Sequence, residues 1–133
     1  MSEQLTGVVL AHAGLAGALI GAVEEIAGAD HGLVAVSNVG CDRAAIVAHL
    51  EAAIAGRPAV VFADMPGGSC AFGAAAFARE HPDVGVVTGV NLAMLVDFVF
   101  HRSLGPAEAA TRAVATGRAA VMPVGRTGAG AAR

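Results

Sequence analysis

The chain has 133 residues, 56% of them apolar and only 14% charged, with a formal net charge of −3. That length suits one domain around one core, and the apolar share exceeds the usual about 45–50%. No lysine is present and the eight basic residues, all arginines, form no cluster, which excludes a nucleic-acid partner on electrostatic grounds.

Gln4–Ala11 is a run of Leu, Val and Val bounded by polar residues and predicts a first strand. Gly14–Ala27 carries Leu15, Leu19, Val23 and Ile26 at helical spacing and stops before Gly28. Gly32–Ser37 is a short β-branched run, a second strand. Asp42 is placed to cap a helix over Arg43–Ala55, with Ile46, Leu50 and Ile54 on one face and Gly56 as the stop. Pro58–Ala63 predicts a third strand, Asp64–Ser69 a turn and Cys70–Arg79 an alanine-rich helix closed by His81-Pro82. Val84–Thr88 predicts a fourth strand and Asn91–Arg102 a helix bearing Leu92, Leu95, Val96 and Val99. Pro106–Thr116 predicts a last helix with proline in its first turn, and Ala119–Val124 a fifth strand.

This alternation predicts an α/β fold, a doubly wound three-layer αβα arrangement. Four strands are expected to be parallel, because they read as continuous apolar runs. The fifth follows two successive helices and is expected at an antiparallel edge. One domain is expected over residues 1–125, with 126–133 a loose tail. So few charges leave apolar surface for a second copy of the chain to cover. Gly, His and Asp interrupt every apolar run before membrane-spanning length, and Met-Ser-Glu-Gln lacks the basic start of a secretory signal. The expected location is the cytoplasm.

The candidate polar residues all follow strands: His12 the first, Ser37 and Asn38 the second, Asp64 and Ser69 the third, Thr88, Gly89 and Asn91 the fourth. In a parallel sheet those ends share one edge, where open α/β proteins bind ligands. A carboxylate at Asp64 can fix the tautomer of His12 and leave the other ring nitrogen as a nucleophile; it can equally open the Pro66-Gly67-Gly68 turn. Gly67, Gly68 and Ser69 start a helix where bare N–H groups favour an anion, and Ser69 can also cap that helix. Asn91 is best read as an N-cap. Leu15, Met65 and Phe72 suit either the rim of a site or the core. There is no P-loop and no Gly-x-Gly-x-x-Gly. Cys41 and Cys70 lack CxxC spacing and read as reduced thiols, Cys70 as a packing residue. His31, His49, His81 and His101 read as residues of loops or exposed helix faces, and no pair has ligand spacing with a Cys or carboxylate, so no metal is expected.

Four pieces together resemble the IIA domain of the mannose-type sugar phosphotransferase system. They are Val8-Val-Leu-Ala-His12, Asp64-Met-Pro-Gly-Gly-Ser69, Val86-Val-Thr-Gly-Val-Asn-Leu-Ala-Met-Leu95 and Thr116-Gly-Arg118, in order over roughly residues 4 to 120. The resemblance implies that His12 accepts a phosphoryl group from the phosphocarrier protein HPr and passes it to a histidine of a IIB protein or domain. Asp64 would orient His12; Gly67, Gly68 and Ser69 would hold the phosphoryl group, with Thr88 as a further hydroxyl. It implies no metal, nucleotide or other cofactor, contact with the membrane only through IIC and IID components, and a homodimer that exchanges the last strand. The chain departs from the family's pattern at Ala13 (usually Gly), Pro66 (usually bulky) and Ser69-Cys70-Ala71-Phe72 (usually Ser-Pro-x-Asn). It also lacks the usual Pro-Gly in the loop after strand two. Two other roles fit the same residues: a regulatory protein switched by phosphorylation, and the phosphocarrier subunit of a dihydroxyacetone kinase. A small-molecule binder on the same fold is a third.

Overall fold

The structure is a computed structural model and describes residues 4–125. Its elements run β1 (Thr6–Ala11), α1 (Leu15–Ala27), β2 (Leu33–Ser37), α2 (Arg43–Ile54), β3 (Ala59–Ala63), α3 (Ser69–Arg79), β4 (Val84–Thr88), α4 (Leu92–Val99) and α5 (Pro106–Ala119). The four strands form one parallel sheet in the order β2-β1-β3-β4. Every residue of β1 and of β3 is buried, as befits central strands with helices on both faces.

Alternate strand residues feed two core layers. Val9, Phe62 and Val87 meet Ile20 and Val23 of α1, Leu95 and Phe98 of α4, and Ala109 and Ala113 of α5. Val8, Leu10 and Val61 meet Ile46, Leu50 and Ile54 of α2 and Ala74 and Phe77 of α3. Phe62 and Phe98 pack edge to face, ring centroids 5.1 Å apart, a favoured aromatic geometry. α2 and α3 approach closely at Gly73, where a Cβ would lie 2.6 Å from an Ile46 methyl.

The chain leaves β1 toward β2 on one side, then returns past β1 to β3 on the other. The switch point of the sheet therefore lies between the ends of β1 and β3, and the two strand-end residues there are His12 and Asp64.

Helix signals held in part. Asp42 caps α2 by accepting from the Ala45 N–H at 2.8 Å, and Asn91 caps α4 by accepting from Met94 N–H at 3.0 Å. Ser69, expected as a possible cap, is instead the first residue of α3; the cap is Gly68, at φ +89°, and no side chain caps this helix. The expected fifth strand at Ala119–Val124 is not found. α5 runs past the expected stop at Thr116 to Ala119, because Gly117 lets it close on α4: Asn91 Nδ2 donates to the Gly117 carbonyl at 3.0 Å, and a Cβ there would sit 2.7 Å from Met94 Cε. Residues 121–124 are left without regular structure, with Val121, Met122 and Val124 exposed. Within this chain β4 pairs only with β3 among the described residues. The tail expected at 126–133 lies outside the described residues.

Candidate active site at the end of the central strand

His12 follows the last residue of β1, and Asp64 the last residue of β3. Register places Leu10 beside Ala63, so Asp64 comes level with Ala11 and His12 lies one residue further along. One oxygen of Asp64, Oδ2, accepts the backbone N–H of His12 at 2.9 Å and contacts its ring Nδ1 at 2.8 Å. Burial of the carboxyl raises its pKa, but the backbone and ring hydrogen bonds from His12 and the attraction of that ring outweigh it and hold Asp64 below its ordinary value. An ionised Asp64 only accepts, so Nδ1 carries the proton and Nε2 keeps its lone pair. The Asp64 side chain is 9% exposed and the His12 side chain 45%: the carboxylate is sunk beneath a ring open to solvent. Nε2 has no hydrogen-bond partner among the described residues.

The loop after β2 holds the other side of this turn. Ala13 N–H donates to Asn38 Oδ1 at 3.2 Å, Ser37 Oγ–H donates to the Ala13 carbonyl at 2.8 Å, and Val39 N–H donates to Ser37 Oγ at 3.1 Å. Ala13 itself sits at φ +52°, the left-handed region that favours glycine. The bonds to Ser37 and Asn38 hold it there.

The turn after β3 leads into α3. Its N-terminus at Gly68-Ser69 has no side-chain cap, so its first N–H groups are available to an anion. Cys70, in the first turn, is fully buried, with Sγ 3.9 Å from His12 Nδ1. Burial and the Asp64 charge push its thiol pKa up and favour the protonated thiol.

Of the expected site residues, His12 and Asp64 are in direct contact, and Gly67, Gly68 and Ser69 lead into α3, whose first turn reaches His12 through Cys70. Thr88 is exposed at the end of β4 and lines a groove of about 370 Å³ with Val86, Gly89, Asn91, Gly117 and Arg118; neither His12 nor Asp64 lines that groove. Leu15, Met65 and Phe72 are exposed, at 43%, 55% and 54%, so the core reading does not hold for them. Arg43 lies over the Phe72 ring, 5.9 Å from its centroid.

One expectation needs correction. His31, read as a loop or surface histidine, is buried: its Nδ1 accepts from Leu33 N–H at 2.9 Å and its Nε2 contacts Glu24 at 2.9 Å. Cys70, read as a packing thiol beside the site, is buried there with its sulfur against His12. His12, Asp64 and Cys70 each offer one ligand atom, all within 4.8 Å of one another, a cluster hidden in sequence because its members come from three elements.

No curated protein matches the chain. Its structure superposes on that of phosphotransferase system component EIIA from Streptococcus agalactiae with a TM-score of 0.83 at 19% identity, over 90% of this chain and 96% of that one. The mannose/sorbose specific IIA subunit from Enterococcus faecalis gives 0.82 at 22% identity, over 92% and 96%. A sigma-54 interaction domain protein from Enterococcus faecalis gives 0.73 at 11% identity, over 90% and 94%. These likenesses establish a shared fold. The model of one sequence family, EIIA-man, described as PTS system fructose IIA component, matches residues 7–115, and the chain belongs to that mannose-type IIA family.

Proposed function

We propose that this protein is a phosphoryl carrier of a phosphoenolpyruvate-dependent sugar phosphotransferase system. In this reading His12 takes a phosphoryl group from the phosphohistidine of HPr and passes it to a histidine of a IIB protein. The observation that carries it is the double hold of Asp64 Oδ2 on His12, which fixes the proton on Nδ1 and leaves the Nε2 lone pair free on an exposed ring.

The Nε2 lone pair attacks phosphorus, the N–P bond of the donor breaks, and its electron pair returns to the donor nitrogen. His12, now carrying phosphate on Nε2 and a proton on Nδ1, is an imidazolium, and the Asp64 carboxylate beneath it offsets that charge. The uncapped start of α3 at Gly67, Gly68 and Ser69 supplies N–H groups for the phosphoryl oxygens. No nucleotide enters the reaction. Both donor and acceptor are phosphohistidines, so the exchange runs near equilibrium and either way.

In this reading the exposed Leu15, Met65 and Phe72, with Val39 at 70% exposure, offer HPr and IIB apolar contacts for a transient encounter. Among the described residues no helix is long and apolar enough to cross a membrane, which fits a cytoplasmic carrier reaching the membrane only through IIC and IID. The unpaired side of β4 and the exposed Val121, Met122 and Val124 fit a homodimer in which each chain's last segment joins its partner's sheet.

The test is incubation with phosphorylated HPr. Wild type should gain an acid-labile, base-stable phosphate, and His12→Ala should gain none. Absence of uptake by wild type overturns the carrier reading. Uptake without onward transfer to any IIB protein favours the phosphorylation-switch role.

A further inference from the structure

We infer that His12, Asp64 and Cys70 form a zinc site that competes with phosphorylation. The three side chains converge from the end of β1, the end of β3 and the first turn of α3. His12 Nδ1 lies 2.8 Å from Asp64 Oδ2 and 3.9 Å from Cys70 Sγ, and one donor atom from each residue lies within 4.8 Å of the other two.

Nitrogen, carboxylate oxygen and sulfur are the three donor types of biological zinc centres, whose bonds of about 2.0–2.3 Å put tetrahedral ligands roughly 3.3–3.8 Å apart. The Nδ1–Sγ distance of 3.9 Å is already close to that spacing, the Nδ1–Oδ2 pair reaches it if the imidazole lifts from Asp64 by about half an ångström, and the carboxylate and the sulfur, within 4.8 Å of each other, close on a bound ion by about 1 Å at most. The ring, 45% exposed, is free to lift.

A second observation points the same way. Asp64 Oδ1 is buried with no hydrogen-bond partner in a side chain only 9% exposed. A buried carboxylate oxygen without a donor is costly, and a cation beside the carboxylate removes that cost. Three protein ligands leave a fourth position, on the solvent side of His12, for water or a thiol.

The proton balance is definite. Cys70 releases its thiol proton when sulfur binds the metal. The proton on His12 Nδ1 gives way to zinc, and the neutral ring keeps one on Nε2. About one proton is released per zinc bound. With Nε2 protonated, the lone pair that attacks phosphorus is gone; this consequence rests on the carrier reading, whereas metal binding does not.

The site is tested on the full, reduced chain with Co(II) as a spectroscopic stand-in and Zn(II) as its displacer. Wild type should show a thiolate-to-Co(II) charge-transfer band and intense tetrahedral d–d bands, both erased by zinc. Cys70→Ser should lose the charge-transfer band and weaken zinc binding by about 100-fold or more. Cys41→Ser, which removes the other thiol (Sγ 4.0 Å from His49 Nδ1), should keep both. Thermal melts guard against misfolding: metal-free Cys70→Ser should melt cooperatively, and Cys70→Ala replaces it if it does not. No charge-transfer band in wild type, or one that survives loss of Cys70, overturns the site. Phosphate uptake from phospho-HPr is then compared between chelator-treated and zinc-loaded wild type. Uptake by the first and not the second is expected, and equal uptake overturns the competition. Failure of the chelator-treated protein to take up phosphate sinks the carrier reading, while the cobalt spectrum still decides the metal site.

Discussion

A single oxygen, Asp64 Oδ2, holds both the backbone N–H and the ring Nδ1 of His12, at 2.9 and 2.8 Å. The backbone bond fixes where the residue begins and the ring bond fixes where it points, so one buried carboxylate sets position, orientation and tautomer. The bonds come from the sheet: β1 and β3 are neighbours in register, and the first residue past each faces the other across the switch point.

Asp64→Asn keeps an oxygen for the His12 N–H but removes the charge that offsets the phosphoimidazolium. A charged hydrogen bond exceeds a neutral one by about 1–2 kcal/mol, so transfer from phospho-HPr should slow by roughly 10-fold or more, with the melting curve still cooperative. An unchanged rate, measured by rapid quench, removes Asp64 from the mechanism.

The depressed pKa of Asp64 has a definite pH signature. A carboxylate whose folded pKa lies below its unfolded one stabilises the fold above the unfolded value, and that contribution is lost as pH falls through the folded value. The stability difference between wild type and Asp64→Asn should therefore persist through neutral and mildly acid pH and vanish below the ordinary carboxylate range. Urea titrations across pH measure it; a difference that grows on acidification below that range contradicts the assignment.

Ala13 is exposed and holds a left-handed backbone, φ +52°, that strains a residue with a Cβ. Ala13→Gly should raise stability or leave it unchanged, by at most about 1 kcal/mol, since relief of strain is opposed by the greater freedom of an unfolded glycine. A loss of more than that in denaturant unfolding shows that the methyl packs against something essential.

Asn91 works twice, accepting from Met94 N–H and donating to the Gly117 carbonyl. Asn91→Ala removes an N-cap and the side-chain bond from the start of α4 to Gly117 near the end of α5, and should cost about 1–3 kcal/mol. Asn91→Asp keeps the cap and loses the donor, so it should fall between the two. Equal stability of all three proteins refutes the dual role.

The sheet and most helices were legible in the sequence because apolar runs and glycine stops are local signals. The end of α5 was not: Gly117 reads as a breaker, and only its packing against Met94 and Asn91 makes it a helical residue. His12 and Asp64 could be paired from sequence because strand ends of a parallel sheet share an edge. Cys70 could be placed beside them, but not the contact of its sulfur with the ring, since one residue's turn of α3 decides whether that sulfur faces the core or the histidine. The burial of His31 escaped for a similar reason; its partners, Glu24 and Leu33, lie on α1 and β2, elements that meet only in the fold. Thr88 shows the limit of the edge argument, because a residue can sit at the right edge and line a different groove.

If the protein is a phosphoryl carrier, Asp64 reserves Nδ1 of His12 and leaves Nε2 to take the phosphate. The direct measurement is NMR of the phosphorylated protein, with nitrogen–phosphorus couplings that identify the bonded atom. One phosphate is expected, on Nε2 of His12. Phosphate on Nδ1 of His12, or on His31, His49, His81 or His101 in its place, would contradict it.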